Sequence, residues 1–461
     1  MLTRRDFLPL PLAGARALAQ TAGRTNVLFI AVDDLNNRLG CYGDPVVRTP
    51  HIDRLATRGV RFDHAHCQYP LCNPSRTSLL SGRRPDSTRV YDNRTPPRTT
   101  LGDIAFLPEH FRKHGYFTGR VGKIAHGLYE DAVTWDVSEF AQRGEGDGRA
   151  GVKAQRKQQR AQAEGGLKLS WTMTDNRDED EPDGRTARRI VQLMEQNQGK
   201  PWFLGAGFHK PHLAWVAPKK YFDLYPPEKM RLPQTPPNDR DDIPPVALTR
   251  TAGDEEMTDL DRKKAIAAYH ACTSFMDAQV GFLLAALDRM KLWDSTVVLL
   301  FGDHGWHLND HLGLWRKMTV FEESARAPLI VAAPGKKAGV GSPRLVEFVD
   351  MYPTLCELCG LEPPGALEGL SMVPLLENPQ RAWKKAAFTQ VARGRGVMGR
   401  SVRTDRYRYT EWGDEKTAEL YDHQTDVHEF RNLAGDAGSA RVVSEMRRTL
   451  RAGWRAALPP G

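Results

Sequence analysis

The 461-residue chain has six cysteines, Cys41, Cys67, Cys72, Cys272, Cys356 and Cys359. That is too few to hold a chain of this length as a disulfide scaffold. Cys356-Glu357-Leu358-Cys359 has a CxxC spacing, but no second CxxC or paired histidine completes a zinc site. Its apolar surroundings read as core packing, with room for one bridge in an oxidising compartment. No run approaches the ~20 apolar residues of a membrane span, so none is expected. No segment repeats at a period of ~20–50 residues, which excludes solenoids and propellers. Aromatic residues make up 8% of the chain and do not interleave with a long basic run. With no DNA-binding motif either, no nucleic-acid partner is expected, despite a net charge of +8.

What is present is the composition of a globular enzyme, 40% hydrophobic and 26% charged, long enough for one large domain and a smaller one. The N-terminus stands apart. Thr3-Arg4-Arg5-Asp6-Phe7-Leu8 is a twin-arginine pattern, Leu8 to Leu18 is weakly apolar, and Ala17-Leu18-Ala19 is an A-x-A site. Residues 1–19 read as a twin-arginine signal peptide, which makes the Tat export machinery a partner. The expected location is exported, periplasmic or extracellular, in a bacterium. Arg4, Arg5 and Arg16 against Asp6 carry +2 of the +8, leaving +6 on a chain cleaved after Ala19. That surplus suits an anionic substrate.

The stretch Tyr69 to Arg84 places one cysteine at the mouth of a predicted short helix. Pro74 suits the first helical position, Asn73 a cap before it, and Gly82 the end. Cys72 then lies where unpaired backbone N–H groups and the positive end of the helix favour a bound anion. Arg76, Arg83 and Arg84 add positive charge.

Continuous apolar runs at Asn26–Val32, Phe117–Val121, Trp202–Gly207, Ser295–Phe301 and Pro328–Ala332 predict buried strands. Helical patterns at 184–198, 262–290 and 348–359 separate several of them. This alternation predicts a doubly wound, mixed α/β sheet flanked by helices. The catalytic domain is expected over 22–365, interrupted by a polar, apolar-poor surface insertion at 141–185. From about Glu368 the texture changes to short strands and a terminal helix. A C-terminal α+β subdomain, an antiparallel sheet with a helix, is expected over 366–461.

Ligands bind beyond the carboxyl ends of strands in such sheets. Asp33-Asp34, Lys123 with His126, His209 with His212, and Asp303-His304 each follow an apolar strand, which predicts one polar crevice. Asp33, Asp34 and Asp303 would bring three carboxylates together. Their mutual repulsion needs a cation, and oxygen ligands select Ca²⁺ or Mg²⁺. Lys123, His126, His212 and Lys317 are the candidate proton handlers and anion clamps. His209, His307 and His311 rank second, as substrate shell or structure.

These residues carry a family resemblance over nearly the whole mature chain. Cys72-Asn73-Pro74-Ser75-Arg76 matches the C-x-P-S-R signature of the type I, formylglycine-dependent sulfatases, and Leu80-Ser81-Gly82-Arg83 extends it. Asp33-Asp34, Thr49 to Leu55, Gly115 to Thr118 with Gly122-Lys123, Asp303-His304-Gly305, Glu419 to Asp422 and Asn432-Leu433 complete the set. Gly82 to Asp92, His209-Lys210-Pro211-His212 and Asp303-His304-Gly305-Trp306 look most like the iduronate-2-sulfatase branch. Two stretches depart from the pattern. The insertion at 141–185 is one, and Trp306 to Lys317 is one residue longer, so Lys317 is assigned from Trp315-Arg316-Lys317.

The resemblance implies an alkaline-phosphatase-like fold and a sulfuric ester hydrolase acting on a sulfated saccharide, a 2-O-sulfated uronate first, in glycosaminoglycan degradation. It implies that a separate maturation enzyme oxidises Cys72 to formylglycine. One Ca²⁺ per chain would be bound by Asp33, Asp34, Asp303, His304 and the modified residue 72. One hydroxyl of the aldehyde hydrate would attack sulfur. His212 would protonate the leaving alcohol, and His126 would deprotonate the second hydroxyl to expel sulfate. Arg76, Lys123 and Lys317 would stabilise charge on the sulfate oxygens. The alternatives are an aryl, choline or hexosamine sulfatase, a phosphomonoesterase or phosphodiesterase of the alkaline phosphatase superfamily, or a secreted protein that only binds sulfated polysaccharide.

Overall fold

A computed structural model describes residues 24–140, 169–249 and 256–459. The predicted signal peptide lies outside these residues, as does 141–168 of the predicted insertion.

In chain order the strands are β1 (Asn26–Val32), β2 (Val60–His66), β3 (Phe117–Gly122), β4 (Val137–Glu139), β5 (Trp171–Thr174), β6 (Trp202–Phe208), β7 (Trp215–Pro218) and β8 (Thr296–Gly302). They continue with β9 (His307–Asn309), β10 (Leu314–Arg316), β11 (Leu329–Ala332), β12 (Val340–Glu347), β13 (Ala387–Ala392), β14 (Met398–Arg403), β15 (Tyr407–Trp412) and β16 (Asp414–Asp422). Eight of them form one sheet in the order β12-β2-β11-β8-β1-β6-β3-β4. Within it β11 runs antiparallel to both neighbours, and every other pair is parallel.

Every residue of β1 is buried, because the strand is covered on both faces. Val27, Phe29 and Ala31 enter one core and Leu28, Ile30 and Val32 the other. This is why the strand reads as an unbroken apolar run rather than an alternating one. The first face is packed by the helices Cys72–Ser81, Leu107–Lys113 and Met351–Leu358, the second by Pro50–Thr57, Pro182–Gln196 and Asp259–Arg289. The result is the expected doubly wound mixed sheet. β13 to β16 form the smaller antiparallel sheet, on which the helix Ala440–Ala456 packs through Met446 against Val402, Tyr409 and Leu420. No described helix is long and apolar enough to cross a membrane.

Several local expectations change. The helix starts at Cys72, with Leu71 in the capping position and no side-chain cap. Asn73 lies inside it and instead donates to the carbonyls of Asp92 and Thr95. Gly82 ends the helix at φ 65°, as its lack of Cβ allows. β12 is unforeseen because Gly341 and Pro343 look like loop; it is an edge strand with a register shift between Ser342 and Leu345, where proline is tolerated. The described part of 141–185 holds β5, paired in parallel with β7, and the start of the helix Pro182–Gln196. Cys356 and Cys359 are free, buried thiols, as part of the first-face core.

Candidate active site

β8, β1, β6 and β3 are consecutive neighbours in the sheet, and they end level with one another. Val32 is opposite both Gly302 and Phe208, and Gly122 is opposite Gly207. Asp303-His304, Asp33-Asp34, the His209–His212 loop and the Lys123–His126 loop therefore leave the sheet side by side. Glycine permits the closest crossing: Gly122 has φ +83°, and a Cβ there would lie 2.0 Å from the Gly207 carbonyl oxygen.

Asp34 has the left-handed φ of 60°, a strained value for a non-glycine residue. It is over-determined by its neighbours. The Tyr269 hydroxyl donates to the Asp34 carbonyl at 2.8 Å and accepts from the Asn36 N–H at 2.9 Å. The Asp34 N–H donates to Asp303 Oδ1 at 3.0 Å. Tyr269 comes from the long Asp259–Arg289 helix and carries no sequence signal beyond its place on the apolar face.

Asp33, Asp34 and Asp303 are fully buried, and each brings an oxygen within 4.8 Å of the others. Lys123 Nζ lies 2.6 and 2.7 Å from the Asp33 oxygens. Arg76 reaches Asp33 at 3.2 Å and Asp303 at 2.8 Å. Burial raises the pKa of Asp33, but Lys123, His212 and Arg76 outweigh it and hold the group well below the ordinary value. Asp34 goes the other way. Burial, with Cys72 and Asp33 nearby, pushes it up to about 7 in spite of Lys317. Its Oδ2 is buried without a hydrogen bond. An under-satisfied oxygen among three converging carboxylates is the donor set of a hard divalent cation, so these residues fit Ca²⁺. His304 adds Nε2, 3.4 Å from Asp34 Oδ1 and 3.6 Å from Asp303 Oδ1.

Cys72 Sγ sits against this group, 3.3 Å from Lys317 Nζ, 3.4 Å from His304 Nε2 and 3.9 Å from Asp34 Oδ1. Burial would raise its pKa, but Lys123 and Lys317 pull it below the usual thiol value. Lys317 also bonds Asp34 and lies 5.2 Å over the Trp306 ring. Arg76 is tied to the carboxylates themselves. It is fully buried, and its bonds run to Asp33, Asp303 and the carbonyls of Lys123 and Ile124, so it orders the carboxylates from behind.

The histidines divide. Burial drives His126 and His212 well below the ordinary imidazole value, and His212 Nε2 lies 3.7 Å from Asp34 Oδ2. His209 packs beside it, with ring centroids 4.8 Å apart and the rings tilted by 40°, and its Nδ1 is 3.6 Å from Asp33 Oδ2. Its side chain is 38% exposed, which puts it at the crevice mouth. His307 bonds Thr319 at 2.7 Å and His311 bonds Asp239 at 3.2 Å, which makes both structural supports of the segment leading to Lys317.

The sequence model of the Sulfatase family matches residues 25–361, the span that supplies every group in the crevice. The chain belongs to the sulfatase family. Its second match, over residues 304–455, is to the C-terminal region of N-sulphoglucosamine sulphohydrolase. This sulfatase is 34% identical to a sulfatase of Formosa agariphila, over 90% of this chain and 83% of that protein. It is 31% identical to human (Homo sapiens) iduronate 2-sulfatase, over 88% of each. The phosphonate monoester hydrolase of Silicibacter pomeroyi shares the fold, with a TM-score of 0.78, 25% identity and coverage of 94% and 96%. The chain is thus a sulfuric ester hydrolase.

Proposed function

We propose that this sulfatase hydrolyses sulfate esters of a sulfated carbohydrate, a 2-O-sulfated uronate first, through formylglycine derived from Cys72 and with one bound Ca²⁺. The observation that carries the reading is Cys72 at a helix mouth, between Lys317, His304 and three buried carboxylates. The likeness to iduronate 2-sulfatase over 88% of both chains supports the uronate.

Asp33, Asp34, Asp303 and His304 would hold the ion, which supplies a Lewis acid for the sulfate oxygens. Formylglycine, once hydrated, supplies two hydroxyls on one carbon, one to attack sulfur and one to release sulfate. Lys123 and Lys317 place fixed positive charge beside residue 72, where charge develops in the transition state. His212 would give a proton to the leaving alcohol once the negative charge of a bound sulfate ester favours the imidazolium that burial disfavours in the free protein. His126, kept neutral by burial and by Lys123, accepts one from the second hydroxyl. Arg76 fixes Asp33 and Asp303.

Co-expression with a formylglycine-generating enzyme should show residue 72 as the aldehyde in peptide mass spectra. The matured protein should release sulfate from a non-reducing-end 2-O-sulfated uronate. Cys72→Ala should lose at least about a thousandfold in kcat, as removal of a nucleophile does; full activity in that variant would sink the reading. A panel with aryl, choline and hexosamine sulfates separates the other specificities. The shared fold with a phosphonate monoester hydrolase favours a second reading, phosphoryl-ester hydrolysis, which aryl phosphate turnover above aryl sulfate turnover would support. The twin-arginine segment adds Tat export with cleavage after Ala19, checked by N-terminal sequencing of exported protein.

A further inference from the structure

Two buried carboxylates outside the metal-binding trio grip the loops that carry the crevice histidines. Glu130 lies in the short turn of helix Gly127–Ala132 and is 1% exposed. Its Oε1 accepts the Ile124 N–H and its Oε2 the Ala125 N–H, both at 3.0 Å. The carbonyls of those same two peptide units, Lys123 and Ile124, accept from Arg76 at 2.8 and 3.0 Å. Two successive peptide groups are therefore strung between a carboxylate and a guanidinium. Each has its N–H toward the negative group and its C=O toward the positive one, so the dipoles reinforce both ends. Lys123 and His126 project from this clamped loop.

Asp183 does the same one strand away. It is 3% exposed and sits in the first turn of the helix Pro182–Gln196. Its oxygens accept the His209 N–H at 2.9 Å and the Lys210 N–H at 2.8 Å. The chain then turns back, and the His212 N–H donates to the His209 carbonyl at 2.9 Å. The place of His212 over Asp34 thus depends on the two amides that Asp183 holds. Among the described residues neither carboxylate belongs to a group able to bind a metal.

We propose that Glu130 and Asp183 are positioning residues of the sulfate-ester reaction. Glu130 sets the Lys123–His126 loop and Asp183 sets the His209–His212 loop. The proposal rests on the proton-transfer roles given above. It predicts different signatures for the two loops. A poor sugar leaving group needs the proton from His212, whereas 4-nitrophenolate leaves without one. Displacing a catalytic group by about 1 Å costs about a hundredfold. Asp183→Asn turns one acceptor into a donor facing an N–H. It should lower the ratio of kcat on the 2-O-sulfated uronate to kcat on 4-nitrophenyl sulfate by about tenfold or more, with KM changed less than kcat. Glu130→Gln should lower kcat on both substrates by a similar factor and leave the ratio within about twofold.

Hydrogen exchange by mass spectrometry supplies the second readout. Each variant should lose amide protection in its own loop, 123–126 or 208–212, and retain it in β1 and β8. If Glu130→Gln fails to accumulate, Glu130→Asp, which keeps the charge but has the shorter reach, takes its place. An unchanged substrate ratio in Asp183→Asn, or exchange loosened throughout the sheet, would overturn the proposal. Wild-type protein inactive on both substrates would overturn the assigned reaction instead, and loop-selective exchange would still show whether the clamps exist.

Discussion

A fully buried carboxyl pushed up to about 7 is only partly ionised at neutral pH on its own terms, and Asp34 is such a group. The proposed divalent cation among Asp33, Asp34 and Asp303 would remove the conflict by satisfying the oxygen that has no hydrogen bond. Asp34→Asn should therefore weaken Ca²⁺ binding at least about tenfold by calorimetric titration, since it removes a charged ligand. Chelation should abolish sulfate release, and Ca²⁺ should restore it. An Asp34→Asn protein that binds Ca²⁺ as tightly as wild type would refute this ligand set. Residue types were legible here: the Asp pair, the Asp-His pair and Cys72 all announce themselves. The partners of Arg76 were not, because a motif arginine looks the same in sequence whether it faces a ligand or bonds buried carboxylates and carbonyls.

Strand ends set the geometry of the crevice. The loops after β3 and β6 can cross only because Gly122 and Gly207 have no Cβ. Gly122→Ala would bring Cβ to 2.0 Å from the Gly207 oxygen at a φ of +83°. It is expected to cost at least about 2 kcal/mol in urea unfolding and to depress kcat through the displaced Lys123 loop. Near-wild-type stability would show that the crossing is loose. Elements with unbroken apolar runs were readable to within a residue or two, because burial on both faces leaves a composition that few loops share. β12, β9 and β10 were not. β9 and β10 are three-residue strands that pair only with each other, too short to leave a pattern, and β12 is an edge strand that pairs with the distant β2 and contains a glycine and a proline.

The large sheet and the C-terminal sheet meet over buried charge. Arg408 on β15 bonds Glu322 and Glu429, and Lys384 bonds Glu347 and Asp350 at 2.9 and 2.6 Å. Burial raises the pKa of Glu429, but Arg408 and His423 outweigh it and lower the group from 4.5 to about 2. Its contribution to stability is thus present above about pH 4.5 and lost as the pH falls toward 2. Burial lowers His66, beside Glu322, from 6.5 to about 4. The folded state therefore resists its protonation, and stability falls further between pH 6.5 and 4. Denaturant titrations should show declining stability from pH 6.5 downward. Glu429→Gln leaves Arg408 under-paired and should cost about 3–5 kcal/mol at pH 7, with a flatter profile below pH 4.5. An unchanged profile would place the acid sensitivity elsewhere.

By itself the sequence determined the class of this protein. Long apolar runs specify a covered sheet, and polar clusters after those runs specify a crevice at its carboxyl edge. Each is a local pattern with a local physical cause, and the cysteine motif at a helix mouth adds the family resemblance. Only the tertiary structure decided which clusters meet. Strand order brings β8, β1, β6 and β3 together, and that order is fixed by packing between residues up to 270 positions apart, as the register of Asn26 with Thr296 shows. It also decided what stands behind the site. Tyr269, Glu130 and Asp183 are ordinary residues in sequence, and they become supports of the crevice only where the fold sets their oxygens against the backbone of its loops.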